Sequence, residues 1–242
     1  MVPAAFTTET ALKRPHIMNI TFIRRLISAS IGRKVLMAVS GLALGLFMLV
    51  HLAENLLLFK GEMAYNDWVD FLLSNPLTPF FEVGLLGIFI IHIVMGVWVR
   101  VEDFINAPRG YEARKWQGGR TIGSATQLYT AAAILAYLTY HMLTFRFVNH
   151  DMGFYQMVTS AFRNNFFVAI YVGGALAVVL HLSHGMQSAF QTLGVSHPKY
   201  TPFIKLGGWL VALTMMGFAF ISVYYLFGLD LGAAAVEMTV VQ

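Results

Sequence analysis

The chain has 242 residues, of which 57% are hydrophobic and only 12% charged, with a mean hydropathy of +0.66 and a formal net charge of +4. Soluble domains carry about 25% charged residues, so the composition excludes an ordinary soluble globule and reads as an integral membrane protein, whose basic loops, rather than a nucleic-acid surface, explain the charge. Cysteine is absent, which excludes disulfides, iron–sulfur ligation and thiolate-held metal from this chain and leaves His, Met and carboxylates as donors.

Residues 1–20 are mixed and polar, with Lys13, Arg14 and His16 but no apolar core, so no cleavable signal peptide is expected. Met18 would serve as an alternative start, which makes residues 1–17 a dispensable extension. Residues 20–33 set Phe22, Ile23, Leu26 and Ile27 against Arg24, Arg25 and Arg33, the pattern of an interfacial amphipathic helix. Five apolar spans follow, at 34–59, 80–100, 124–147, 166–190 and 207–228, each near the roughly 20 residues a bilayer core requires. A polar loop carrying Glu62, Asp67, Trp68 and Asp70 separates the first two. Pro76 and Pro79 in that loop suit the approach to a helix start. The expected domains are a cytoplasmic segment 1–33, a membrane domain 34–228 and an extracytoplasmic tail 229–242.

Lys and Arg set the orientation. The N-terminus (Lys13, Arg14, Arg24, Arg25, Arg33, Lys34), the second interspan loop (Arg100, Arg109, Arg114, Lys115, Arg120) and the fourth (Lys199, Lys205) share one side; only Lys60, Arg146 and Arg163 fall on the other. The positive-inside rule places the N-terminus in the cytoplasm and the C-terminus outside. Trp98, Trp116 and Trp209 fall near the inner interface and Trp68 near the outer one, as interfacial anchors do.

Four histidines, His51, His92, His141 and His181, each sit inside a different apolar span. An imidazole in hydrocarbon is expensive and marks a functional site by default. At 1.5 Å per residue, His51 and His141 lie ~25 Å from the inner ends of their spans, and His92 and His181 lie ~12–14 Å from theirs. The histidines form two layers separated by ~10–13 Å. Neutral imidazole is a normal haem ligand, and one histidine per span at matched depths points to two bis-imidazole haem sites. Four interhelical hydrogen-bonding histidines would explain neither regularity. The expected fold is all-α, with five transmembrane helices, the first four bundled around two stacked b-type haems.

Small residues bear on the same question. His92 and Gly96, and His181 and Gly185, share a helix face, where glycine would let a flat macrocycle approach. Ser40-Gly41 and Ala131-Ala132-Ala133 would leave room for the inner porphyrin, although small residues also serve ordinary helix packing. His184, on the face next to His181, is an alternative ligand or a partner for a propionate or carbonyl. His16, His150 and His197 fall in polar segments and read as solvated.

Two stretches carry a family likeness: residues 30–56, from Ser30-Ile31-Gly32-Arg33-Lys34 to His51-Leu52-Ala53-Glu54-Asn55-Leu56, and residues 181–194, from His181-Leu182-Ser183-His184-Gly185 to Gly194. Through these the chain resembles the cytochrome b membrane anchor of succinate dehydrogenase and fumarate reductase, in its one-chain, five-helix, two-haem class. The resemblance spans about residues 20–228. It implies that His51 and His141 hold a distal haem b and His92 and His181 a proximal one. It also implies a ligand 13 residues before the glycine ending the fourth helix, which is His181 relative to Gly194 and favours His181 over His184.

The resemblance further implies an electron-transfer membrane subunit without its own dicarboxylate site. Its inner face would dock an iron–sulfur subunit fed by a flavoprotein subunit that oxidises succinate. Electrons would pass through the proximal and then the distal haem to a quinone, menaquinone in most of this class, near the outer face. The quinone needs a proton-handling group, for which Glu54, Glu62, Asp67, Asp70 and Glu82 are candidates, Glu54 first because it is one turn beyond His51. Arg33, Lys34 and Arg100 are candidates for the haem propionates. Some fumarate reductases of the class carry a glutamate two residues before the fourth-span ligand; here that position is Val179, which argues against a proton path of that design. The alternatives are a haem b subunit of a fumarate reductase, hydrogenase or formate dehydrogenase, and a histidine-lined transporter. The transporter would need a continuous polar pore that spans 1–4 do not offer.

Overall fold

A computed structural model of the chain describes residues 28–106, 121–149 and 151–228. The extension and interfacial segment up to residue 27, His16, His150, Trp116, the loop cations Arg109, Arg114, Lys115 and Arg120, and the tail 229–242 lie outside the described residues. The regular elements within them are all helical. Helix α1 (Ser30–Asn55) runs into a 3-10 turn (Leu56–Lys60) and is followed by the short α2 (Glu62–Ser74) and the long α3 (Thr78–Ile105). Helix α4 (Ile122–His141) continues as a π-turn (Met142–Arg146), then come the short α5 (Phe154–Ala161) and the long α6 (Asn165–Thr192). Helices α7 (Thr201–Thr214) and α8 (Met216–Leu226) form the last span. Among the described residues, five helical stretches are long and apolar enough to cross a membrane.

Local sequence explains the ends. Pro79 and Pro202 occupy the first turns of α3 and α7, where the missing N–H is not needed and φ is already helical. Thr121 and Asn164 cap α4 and α6, their side-chain oxygens accepting from the amides of Ser124 (3.1 Å) and Phe166 (2.9 Å). Helix α6 ends on Gly194 at φ +85°, with Gly194 N donating to Gln191 O and Val195 N to Phe190 O. These two bonds make the glycine-terminated Schellman arrangement.

The structure departs from the expected boundaries in three places. The last span begins at Thr201, not 207, and is interrupted at Met215. There Thr214 Oγ1 donates back to Leu210 O at 2.9 Å, a bond that bends helices. The second span extends past Arg100 to Ile105 because Glu102, in its last turn, pairs with the buried Arg33 at the start of α1. The segment expected to be a polar loop contains α2, whose Tyr65 is buried while Glu62, Asp67 and Asp70 face outward.

Helix α6 is the mast of the bundle. It packs against α1, α4, α7 and α8, whereas α3 packs against α1 and leaves most of its apolar side chains exposed, Phe80, Phe81 and Val83 among them. A span that is apolar all round belongs in lipid. Two ion pairs report the antiparallel order of spans 1–3: Arg33 with Glu102 at the near end, and Arg146 with Glu82 (3.1 Å) at the far end. Around the far end, α2 and α5 fold over the bundle, and Tyr155 N donates to Asn66 Oδ1 at 3.0 Å. The main core lies under this cap and includes Leu52, Leu58, Tyr65, Tyr155, Tyr171 and Tyr225. The buried Tyr225 hydroxyl donates to Leu58 O at 2.7 Å, fastening the last span to the end of the first.

Candidate functional site: two facing histidine pairs

The bundle brings the four span histidines together as two pairs. His51 of α1 faces His141 of α4 with ring centroids 6.1 Å apart and planes at 83°. His92 of α3 faces His181 of α6 at 6.3 Å and 77°. Measured along their helices, the first pair lies ~29–32 Å from the near ends and the second ~17–20 Å. We call them the far and near pairs.

The near pair is lined by hydroxyls. His92 Nδ1 lies 3.2 Å from Met37 O and 3.3 Å from Ser40 Oγ. His181 Nδ1 lies 3.3 Å from Thr130 Oγ1. The far pair is walled by aromatic rings: Phe47 stacks on His51 at 5.4 Å, Phe218 lies 5.6 Å from it, and Tyr137 and Phe145 flank His141. The π-turn starts directly after His141, and such turns recur at functional sites.

The geometry suits a metal held between imidazoles. Two metal–nitrogen bonds of about 2 Å, plus the ring radii, would set the centroids about 6 Å apart. Nδ1 contacts to oxygens favour the tautomer whose Nε2 lone pair is available for a metal, as in metal-ligating histidines generally. Beside His181, the Gln127 amide brings Nε2 to 3.5 Å from the ring's Nε2 while its Oε1 is buried without a hydrogen-bond partner. A polar atom with spare capacity at the rim of the pair suits a site built to hold a further group. Among the described residues no three His, Cys, Asp or Glu side chains converge on one point, so each pair would supply two donors to a group held there.

The remaining candidates separate clearly. His184 sits one face away from the near pair, and it is His181 whose ring faces His92. Of the five carboxylates, Glu54 alone reaches a paired histidine, its Oε2 standing 3.8 Å from His51 Nδ1. Glu62 is exposed and accepts from Gln156 at 3.4 Å, Glu82 is held by Arg146, and Asp67 and Asp70 are exposed. Arg33 is buried against Glu102, donates to Ser28 O at 2.7 Å, and lies 5.2 Å above Trp98, so it fastens α1 to α3. Lys34 and Arg100 are exposed.

The small residues lie beside side chains of neighbouring helices. Gly41 makes room for the His92 ring, since a Cβ there would stand 2.9 Å from His92 Cε1. A Cβ on Gly96 would meet Met37 Sδ at 3.9 Å, and one on Gly185 would meet Gln127 Nε2 at 3.8 Å. Ala132 and Ala133 face outward. Val179 is buried with Ala212 and Met215 in an apolar cluster.

Beyond Glu54, the cap buries Tyr65. Burial, and then the charge of Glu54, push its phenol up to about 12 from 10. The raised value favours the neutral phenol in the fold, so this contribution to stability is complete below pH 10 and lost as pH climbs towards about 12. In an NMR titration of ring-labelled tyrosine, Glu54→Gln should move the Tyr65 midpoint part of the way back towards 10. An unmoved midpoint would leave burial as the sole cause.

With two facing pairs on four spans, comparison with known proteins becomes informative. The chain is similar to a succinate dehydrogenase cytochrome b558 subunit. That relative, from Bacillus subtilis (strain 168), is 24% identical over 156 residues, 63% of this chain and 74% of its own length. No protein-family model and no solved structure matches the chain. The likeness supports the resemblance to a succinate dehydrogenase cytochrome b read from the sequence.

Tyr171, Thr130 and Gln127 escaped the sequence reading. Each is an ordinary residue within an apolar span, and it is proximity to a histidine on another helix that gives it a role. For Thr130 and Gln127 a faint signal existed: they are polar side chains on the fairly apolar α4.

Proposed function

We propose that the chain is the dihaem cytochrome b membrane anchor of a succinate:quinone oxidoreductase, with its N-terminus in the cytoplasm and iron–sulfur and flavoprotein subunits docked on that side. The observation that carries this reading is the pair of histidine–histidine contacts, at 6.1 and 6.3 Å, one histidine from each of the first four spans. The near pair, His92 and His181, would hold the inner haem b and the far pair, His51 and His141, the outer one. Bound there, the two groups would supply one-electron transfer across the membrane, from an iron–sulfur partner at the inner face towards a quinone, menaquinone by resemblance, at the outer face.

The chain's own residues do the remaining work. Met37 O, Ser40 and Thr130 orient the near imidazoles. Phe47 and Phe218 pack against the His51 ring. The exposed Lys34 and Arg100 would neutralise propionates at the inner edge. Glu54, at the outer end of α1 and a quarter exposed, would exchange protons with the quinone oxygens through its carboxylate.

The test is purification of the full chain from cofactor-replete cells, with haem assay and identification of co-purifying subunits. The expected result is two haem b per chain and flavoprotein and iron–sulfur partners with succinate–quinone activity; a haem-free chain would sink the proposal. In the assembled complex, Glu54→Gln should lower quinone turnover by about 10²-fold, the scale of one lost proton-transfer group, with both haems retained. Unchanged turnover would remove Glu54 from the proton path.

A further inference from the structure

At the near pair, Ser40 and Thr130 spend their own protons on the preceding helical turn. Ser40 Oγ donates to Leu36 O (2.7 Å) or Met37 O (3.1 Å), and Thr130 Oγ1 to Thr126 O or Gln127 O (both 3.1 Å). Their lone pairs therefore face the imidazoles, and the imidazole Nδ1–H is the donor. The far pair lacks such a hydroxyl on α1 or α4 at His141. Its counterpart comes from α6: the Tyr171 hydroxyl lies 3.0 Å from His141 Nδ1.

Tyr171 is held firmly. It is 4% exposed, stacked on Phe167 at 5.6 Å and 15°, and met edge-on by Tyr137 at 5.2 Å and Phe162 at 5.0 Å. Tyr137 reaches that position because residue 174 is glycine; a Cβ there would lie 2.5 Å from Tyr137 Cδ2. A phenol packed on three sides keeps its oxygen where it is.

We infer that Tyr171 is a positioning residue for the outer haem, accepting the Nδ1–H of His141 so that Nε2 faces the iron. The inference rests on the dihaem reading above. An acceptor on Nδ1 makes an imidazole a stronger electron donor to its metal, which favours the ferric state. Removing the phenol oxygen should raise the midpoint potential of that haem and leave the other unmoved.

The experiment is a redox titration of the α-band in the intact complex, comparing wild type with Tyr171→Phe, Thr130→Val and Phe162→Leu. Tyr171→Phe should keep both haems and shift the outer one's equilibrium about tenfold towards the ferrous state, or about 59 mV for one electron. Thr130→Val should shift only the inner haem. Phe162→Leu loosens the same aromatic packing without touching the hydrogen bond and should shift neither. Unmoved potentials in Tyr171→Phe, a shift in its inner haem, or an equal shift in Phe162→Leu overturns the inference. If Tyr171→Phe loses the outer haem, Phe162→Leu decides: retention supports the hydrogen bond, and equal loss overturns it. A wild-type chain without two haems would instead fail the dihaem reading itself.

Discussion

On the proposed dihaem reading, replacing His181 by alanine should remove one haem b and spare the other, whereas His184→Ala should keep both. The His181 ring stands 6.3 Å from His92 and is oriented through Nδ1 by Thr130. His184 is turned to the next face, where its Cβ would lie 3.0 Å from any side chain added at Gly123, so it packs on the first turn of α4. Haem content per chain and the reduced α-band measure the outcome. Haem loss in His184→Ala with retention in His181→Ala would reassign the ligand.

Gly41→Ala should damage the same pair without touching a ligand. The new methyl would stand 2.9 Å from His92 Cε1 and 3.3 Å from Nδ1. The ring is tied by Nδ1 to Met37 O and Ser40 Oγ on the same helix, so it cannot retreat without breaking those contacts. Overpacking of this kind costs about 1–3 kcal/mol, and here the strain falls on the orientation of the His92 imidazole. The expected result is a lower melting temperature with selective loss, on warming, of the haem proposed for the His92–His181 pair. Gly84→Ala and Gly87→Ala are the controls, because nothing lies within 4 Å of a Cβ at either and alanine favours the helix by about 0.5–1 kcal/mol. If Gly41→Ala melts and holds haem like Gly87→Ala, the close approach has no functional weight.

The spans and the histidine pairing were legible because both follow from fixed dimensions. A bilayer core demands a long apolar run, and a constant rise per residue turns sequence position into depth. What depended on side chains meeting across helices was not legible. Tyr171 is one aromatic residue among many in an apolar span, and its hydrogen-bond partner is 30 residues away in sequence. Arg33 counted towards orientation, but its pairing with Glu102 became visible only with α1 and α3 side by side. Helix α2 read as a loop because Glu62, Asp67 and Asp70 dilute its hydropathy, while the apolar contact that anchors it rests on Tyr65. Gly41 stood out as small, but the ring that fills its space belongs to another span.

Helix α6 carries both the His181 of one pair and the Tyr171 that touches the other. Each residue of an α-helix advances the chain by about 100° and 1.5 Å. A single residue inserted or deleted between 171 and 181 would therefore turn one side chain out of its pocket while leaving the other seated. The ten-residue phase of this one helix sets the clocking of both histidine pairs, and length changes in it should be tolerated only outside that interval.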